Sequence, residues 1–420
     1  MSATPTLNES SPLPATDPVP VEHTHTDRPS VADVLVSLPG MTPEALDATR
    51  AALAEAFPGE FVQIASPDPA PAVADPQTWL PYPSNRACLG WTLVAADYAA
   101  AARVAVDHPA RALLLLGQES PLDPQHLRSM VECIRSRNAD LAVPRFHLGP
   151  NDGLVNGAIL YPLTRALFTT DIHFPLPVDA ALSQRMATRL ATPAQHLYHV
   201  GQGEAFLWPV AEAAIAGFAV REVDAGPDAQ PPAPAGNFDD LFNSVVAYLF
   251  TDVDAKATFW QRARATPVRA ALSPAPPAIT AEDSAEIAAQ ITTQIAEMME
   301  AFQFAHANLQ EIWSMVLPPQ SRLALKKLSL ATADTFHMEP ALWARIVYDF
   351  ALAFHLRTLN RGHLLGAMRP LYLAWAASHL RASEGDVTLA ARNLEQTATA
   401  FDAEKSYIVS RWRWPDRFNP

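Results

Sequence analysis

The chain has 420 residues, 49% hydrophobic and 18% charged, with 44 acidic against 30 basic side chains and a formal net charge of −14. That length allows two or three domains with large cores, and the acidic balance excludes a dedicated nucleic-acid binder, since no basic stripe is available to neutralise phosphates. Cys88 and Cys133 are the only cysteines and have no CxxC or zinc-ligand spacing, which excludes a disulfide framework.

No signal-peptide pattern opens the chain and no apolar run reaches the roughly 18 residues of a membrane span, so the expectation is a cytoplasmic protein. Residues 1–29 are rich in Pro, Ser, Thr and Asp and cannot bury enough apolar surface to order themselves; His23 and His25 lie in this tail as solvated residues or a weak metal trap. From Val31 to Pro39 a β-branched run predicts a first buried strand. Thr42 then reads as an N-cap and Pro43 as the first turn of a helix to Phe57. A short strand is expected at Phe61–Ala65, an exposed loop over Ser66–Pro83, and an Ala-rich helix over Ala87–Val106. Ala112–Leu116 is the most apolar short run and predicts a central strand, followed by a helix over Pro124–Asn138.

The stretch from Leu141 to Arg185 is the pivot. A buried strand, Asp140–Val143, is closed by Pro144, and the turn cluster Gly149-Pro-Asn-Asp-Gly153 follows. Val155, Ile159, Leu163 and Leu167 then recur at helical spacing, and a Pro-rich loop presents Asp179 before a helix beginning near Leu182. Loops carrying Asp and Gly beside strand ends are where open α/β sheets hold ligands. A helix near Ala205–Gly217, a strand at Phe218–Val223 and a helix at Phe238–Phe250 complete this half. Strand and helix alternate throughout, which predicts an α/β sheet layered with helices over residues 30–272. The Pro cluster at 273–280 reads as a linker, and Thr280 with Asp283 resembles a capping box. Only helical periodicity follows, at 281–315, 319–333, 340–360, 363–381 and 388–412, so residues 281–420 are expected to form an all-α domain.

Common catalytic motifs are missing: no GxGxxG, Walker-type loop, HExxH or GxSxG occurs. In segment order and local wording, however, the chain resembles the retaining GT-A-fold glycosyltransferases related to mannosylglycerate, glucosylglycerate and glucosyl-3-phosphoglycerate synthases. The resemblance is carried by Ala32–Pro39, by Asp152-Gly153 through Tyr161–Leu167 to Asp179 and Ser183, and by Arg369–His379 with Phe401–Tyr407 and Trp412. It implies a Rossmann-like nucleotide-sugar domain and transfer of a hexose, with retention, from a nucleotide diphosphate sugar to a small hydroxy acid such as glycerate. It also implies a divalent Mg or Mn ion bridging the diphosphate to an Asp-x-Asp motif, because a hard cation takes carboxylate oxygens.

Carried over residue by residue, the resemblance makes Asp179 and Asp152 the catalytic candidates. Pro39, Arg86, Gln118 and Glu119 fall on the donor side, and Gly153, Arg165, Ser183 and Glu204 on the acceptor or sugar side. The chain departs from the pattern where the family writes Asp-x-Asp: it has Gly117-Gln-Glu-Ser120, leaving Glu119 as the metal carboxylate. The downstream metal-binding His is also replaced, with Gln230 the nearest polar residue, and the phosphate-side stretch reads Asn85-Arg-Ala87. The residues alone leave duller roles open: Asp152 as a turn residue, Asp179 as a helix cap, Arg165 in a surface ion pair. Two functions therefore compete, a glycosyltransferase and a catalytically silent relative that binds or scaffolds. A helical module pairing with itself or a partner is a third reading.

Overall fold

The computed structural model describes residues 31–38, 42–67, 78–82, 91–118, 120, 122–202, 204–227, 229–232, 237–264 and 281–414, without the side chains of 43 and 281–289. In chain order the first part runs β1 (Val34–Ser37), α1 (Pro43–Ala56), β2 (Val62–Pro67), β3 (Trp79–Tyr82), α2 (Ala95–Asp107), β4 (Leu113–Leu115), α3 (Pro124–Arg135) and β5 (Leu141–Arg145). A π-helical turn, Asn156–Leu160, leads into α4 (Tyr161–Phe168), then β6 (Ala180–Leu182), α5 (Gln184–His199), α6 (Pro209–Ala216), β7 (Val220–Asp224), α7 (Phe238–Ala255) and α8 (Ala257–Trp260). Helices alone follow: α9 (Ala281–Asn308), α10 (Gln310–Val316), α11 (Pro319–Ser329), α12 (Pro340–Leu356), α13 (Arg361–Ser383), α14 (Val387–Ala403) and α15 (Lys405–Arg413).

The seven strands form one sheet in the order β3-β2-β1-β4-β6-β5-β7, parallel except for β6, which runs antiparallel to both neighbours. Side chains alternate across it as strand geometry requires. Val34, Val36, Leu114, Ala142 and Ala181 pack with Leu53, Leu127, Met130 and Val131 of α1 and α3 on one face. Leu35, Leu113, Leu115, Leu141 and Val143 pack with Tyr98, Leu163, Leu190 and Val210 of α2, α4, α5 and α6 on the other. Both faces are covered, so the inner strands are near-continuous apolar runs.

Several local details differ from expectation. Residues 79–82 form an edge strand within the stretch expected to be loop, and Trp79 and Tyr82 are buried. Pro144 lies inside β5, which continues to Arg145. Within β5 only Leu141 and Ala142 pair with the short β6, so a residue lacking an N–H is tolerated past its end. Asp179 precedes a strand, not a helix; the helix starts at Gln184, where the Ser183 hydroxyl accepts from the Met186 amide. The long periodic segments at 281–315 and 388–412 each break once, at Leu309 and Glu404, and the helix expected at 238–250 runs on to Ala255. Thr42 does cap α1, its hydroxyl accepting from the Ala45 amide. Thr280 lies outside the described residues.

Helices α9–α15 pack on the sheet-bearing part through one continuous core. A single proline organises part of that contact. Pro162 has no N–H to give the Ala158 carbonyl four residues earlier, and the helix is locally π-wound there. The Trp343 indole N–H of α12 donates to that carbonyl instead, at 2.9 Å, so a buried acceptor is satisfied from another element. Beside it a Cβ on Gly157 would lie 2.6 Å from Cδ2 of Leu394 on α14, so a larger residue would require that side chain to shift. No helix among the described residues is long and apolar enough to cross a membrane.

Candidate functional site at the carboxyl edge of the sheet

The chain moves outward from β1 through β2 to β3, then returns to place β4 on the other side of β1. The strand order thus reverses between β1 and β4, whose carboxyl ends lie side by side; open α/β sheets bind ligands beyond the carboxyl ends of strands at such points. Ladder bonds carry both strands to this rim, Leu116 donating to the Ser37 carbonyl and Leu38 to that of Ala65. The buried Tyr82 hydroxyl donates to the Leu38 carbonyl at 2.6 Å.

Because β6 is antiparallel, its first residues stand at the carboxyl end of β4. Asp179 is the residue just before it, fully buried, and both its oxygens are occupied. The Gly117 amide donates to Oδ1 at 2.9 Å and the Ser120 hydroxyl to Oδ2 at 2.8 Å. Burial pushes the Asp179 carboxyl up to about 7, outweighing the two hydrogen bonds that favour the anion. The loop leaving β4 is thus pinned at both ends by one carboxylate. Gly117 cannot be replaced without displacement: a Cβ there would sit 2.6 Å from both Cγ2 and the carbonyl oxygen of Val178. The segment before Asp179 is held in turn, the Pro177 carbonyl accepting from the Leu93 amide and the Thr92 hydroxyl, each at 3.2 Å. Gln118 lies on this loop, half-buried. Pro39, Arg86 and Glu119 lie outside the described residues.

Asp152 and Gly153 stand in the loop after β5, on the same edge. Asp152 is exposed and its Oδ2 accepts from the Gly149 amide at 3.1 Å, closing the turn. Gly153 takes a left-handed φ of +59°, which favours glycine. Glu204 is exposed in the turn between α5 and α6, and Gln230 is exposed beyond β7.

Two expected site residues are placed elsewhere. Ser183 follows Leu182, which pairs with Leu113 and Leu141 at the amino ends of β4 and β5, so it lies at the opposite edge from Asp179. There its hydroxyl also donates to Asp140, which takes an Arg185 guanidinium and the Ala219 amide. Arg165 is 3% exposed and faces α14, with Nη1 2.6 Å from Glu395 and Nε 2.9 Å from Asp402. Its other partner is the Tyr161 hydroxyl, 3.0 Å away. Arg165 joins two parts of the chain and is not open to a ligand.

A second polar group on the carboxyl edge has no counterpart in the sequence reading. His147 Nε2 lies 2.9 Å from Asp224 Oδ1, Arg145 lies 3.7 Å from Glu222, and His173 Nδ1 lies 3.0 Å from the same Glu222 carboxylate. The His173 ring stacks on Tyr161 at 4.5 Å, and its carbonyl accepts from Asn156. A carboxylate on one ring nitrogen fixes an imidazole's orientation and leaves the other for a ligand. The one available signal was positional, since Arg145 and Asp224 end adjacent strands. Among the described residues no three or more His, Cys, Asp or Glu side chains converge to hold a metal ion. Asp179, at the carboxyl end of β4, has both oxygens engaged within the protein. These described residues do not make a cation site.

No protein-family model matches the chain, and no curated protein matches it. Among solved structures it overlaps glucosyl-3-phosphoglycerate synthase from Mycobacterium tuberculosis. With Mn2+, uridine diphosphate and glucosyl-3-phosphoglycerate bound to that enzyme, the TM-score is 0.34 at 13% identity, over 53% of this chain and 79% of that one. Its complex with Mn2+, uridine diphosphate and phosphoglyceric acid gives 0.34 at 12% identity, over 53% and 78%. Overlap this low leaves function to be argued from the chain's own residues.

Proposed function

We propose that the chain is a glycosyltransferase of the GT-A type, which binds a nucleotide diphosphate sugar in the crevice at the carboxyl ends of β1 and β4. On this reading it transfers the hexose, with retention, to a small hydroxy-acid acceptor. The observation that carries it is the Asp179 clasp. A buried carboxylate that fixes the Gly117–Ser120 loop at a switch point is a costly feature unless that loop's shape matters. Asp179 is then a positioning residue, holding the Gly117 and Gln118 backbone for the donor. Pro39, Arg86 and Glu119 remain the proposed donor-side residues, with Arg86 offsetting diphosphate charge. The proposed acceptor side is the neighbouring rim, with Asp152 and Gly153 in its loop and Arg145, His147 and His173 along the strand ends. A divalent cation would have to draw on Glu119 and on the substrate's own phosphates.

The second reading is a silent relative that keeps the crevice without the chemistry. It is favoured by the same carboxylate, since both Asp179 oxygens are consumed by the fold and no other described carboxylate replaces them at the crevice. A transfer assay separates the two: UDP-glucose or GDP-mannose is incubated with glycerate or 3-phosphoglycerate, with and without Mn or Mg, and the product is analysed by NMR. A glycoside with the donor's anomeric configuration supports the transferase. Donor binding without product under any of these conditions supports the silent relative.

A further inference from the structure

The net charge of −14 hides a local excess of positive charge. No Asp or Glu occurs in residues 255–281, 350–383 or 405–415, and the fold brings parts of all three stretches together. The His355 ring, in the last turn of α12, stacks on Trp412 of α15 at 4.2 Å, and Trp412 meets Trp260 of α8 edge to face at 5.1 Å. Arg413 Nε donates to the Gln261 side-chain oxygen at 3.0 Å. At the start of α13 the Arg361 guanidinium lies 4.3 Å from the centre of the Phe354 ring.

These contacts anchor an exposed rim. Neighbouring charges are matched, with Lys256 3.0 Å from Glu212, His355 2.7 Å from Asp254 and Arg411 3.0 Å from Asp349. Arg262, Arg357, Arg361 and Arg413 are instead exposed, and none of the four is in an ion pair among the described residues. Two large apolar side chains stand beside them. Leu356, 45% exposed, precedes Arg357, and Trp414, 60% exposed, follows Arg413.

Unmatched guanidinium groups attract anions, while an exposed Leu and Trp gain by leaving water. An anionic bilayer surface meets both demands at once. Its headgroup phosphates take the arginines, Trp settles at headgroup depth, and Leu reaches the acyl boundary. A nucleic-acid strand could stack on Trp414 but would leave Leu356 in water.

We propose that this rim docks the protein on an anionic lipid surface, with Arg262, Arg357, Arg361 and Arg413 on headgroup phosphates and Leu356 and Trp414 inserted. None of these residues belongs to the donor or acceptor sides above, and the docking does not depend on that reading.

Flotation of the full chain with vesicles tests it, comparing phosphatidylcholine alone with an equimolar mixture of phosphatidylcholine and phosphatidylglycerol. Binding to the mixed vesicles alone is expected, weakening as NaCl is raised from about 0.05 to 0.5 M. The double change Arg357→Glu and Arg361→Glu should lower that affinity at least tenfold, and Trp414→Ser about 3–10-fold. The same charge reversal at the exposed Arg50 and Arg103, away from the rim, should leave it unchanged. All these changes fall on exposed side chains, and circular dichroism checks that each variant is folded. Absence of binding to the mixed vesicles, equal binding to phosphatidylcholine alone, or an equal loss on reversing Arg50 and Arg103 overturns the proposal. Tighter binding of a single-stranded DNA oligonucleotide, lost in the Arg357 and Arg361 variant, also overturns it.

Discussion

Replacing Asp179 with Asn removes the titration of the clasp while keeping its shape. The Asn carbonyl can accept from the Gly117 amide, and its NH2 can donate to the Ser120 hydroxyl, as a protonated Asp179 would. In the folded wild type the carboxyl is pushed up to about 7 by burial, against a value of 3.8 when unperturbed. Below about pH 4 both states carry the proton and the shift has no effect on stability. Between about 4 and 7 the folded state binds a proton that the unfolded chain has lost, so stability falls as pH rises. Above about 7 both are ionised and the loss is complete. At 1.36 kcal/mol per unit, the change from pH 5 to pH 8 amounts to about 2–3 kcal/mol. Other groups titrate too, Asp349 among them, also raised to about 7 by burial. The difference between wild type and Asp179→Asn isolates the single site. Urea unfolding at pH 5, 6, 7 and 8 should show the variant gaining on wild type by that amount and levelling off above pH 7. Parallel stability curves for the two proteins would refute a buried carboxyl with a raised pKa.

Trp343→Phe leaves the Ala158 carbonyl without a donor and should cost about 1–3 kcal/mol, read from the urea midpoint. Arg165→Met keeps the apolar stem but strands Asp402 in a half-buried position; a loss of about 3–5 kcal/mol is expected by the same assay, and Asp402→Asn in that background should restore part of it. Gly117→Ala forces a Cβ onto Val178, so the loop after β4 must shift; thermal melting should show a folded protein of lower Tm, by several degrees for a change on the order of 1–3 kcal/mol.

Much of the sheet was legible because its inner strands bury both faces. Val34–Ser37, Leu113–Leu115 and Leu141–Arg145 are short apolar runs bounded by turn residues, and caps such as Thr42 announce helices locally. Trp79–Tyr82 was not legible, since an edge strand containing Pro81 sits among Pro and Asp residues that read as loop. Nor was β6, three small residues whose direction is set by β4 and β5. The site fared similarly. Asp179 stood out as a lone acid, but its partners are Gly117 and Ser120, about sixty positions away, and no local pattern links them. Arg165 looked like a ligand residue for the same reason: its carboxylates, Glu395 and Asp402, lie more than 200 residues along the chain. Side-chain pairing over such separations is decided by how helices dock, which periodicity does not encode.

The central claim is that the crevice shaped by the Gly117–Ser120 loop takes a nucleotide diphosphate sugar. Calorimetric titration of the wild type and Gly117→Ala with UDP-glucose and GDP-mannose, each with and without Mn, tests it most directly. Saturable binding of one donor, weakened at least tenfold in the variant, is the predicted result. No binding of either donor, or equal affinity in both proteins, would contradict it.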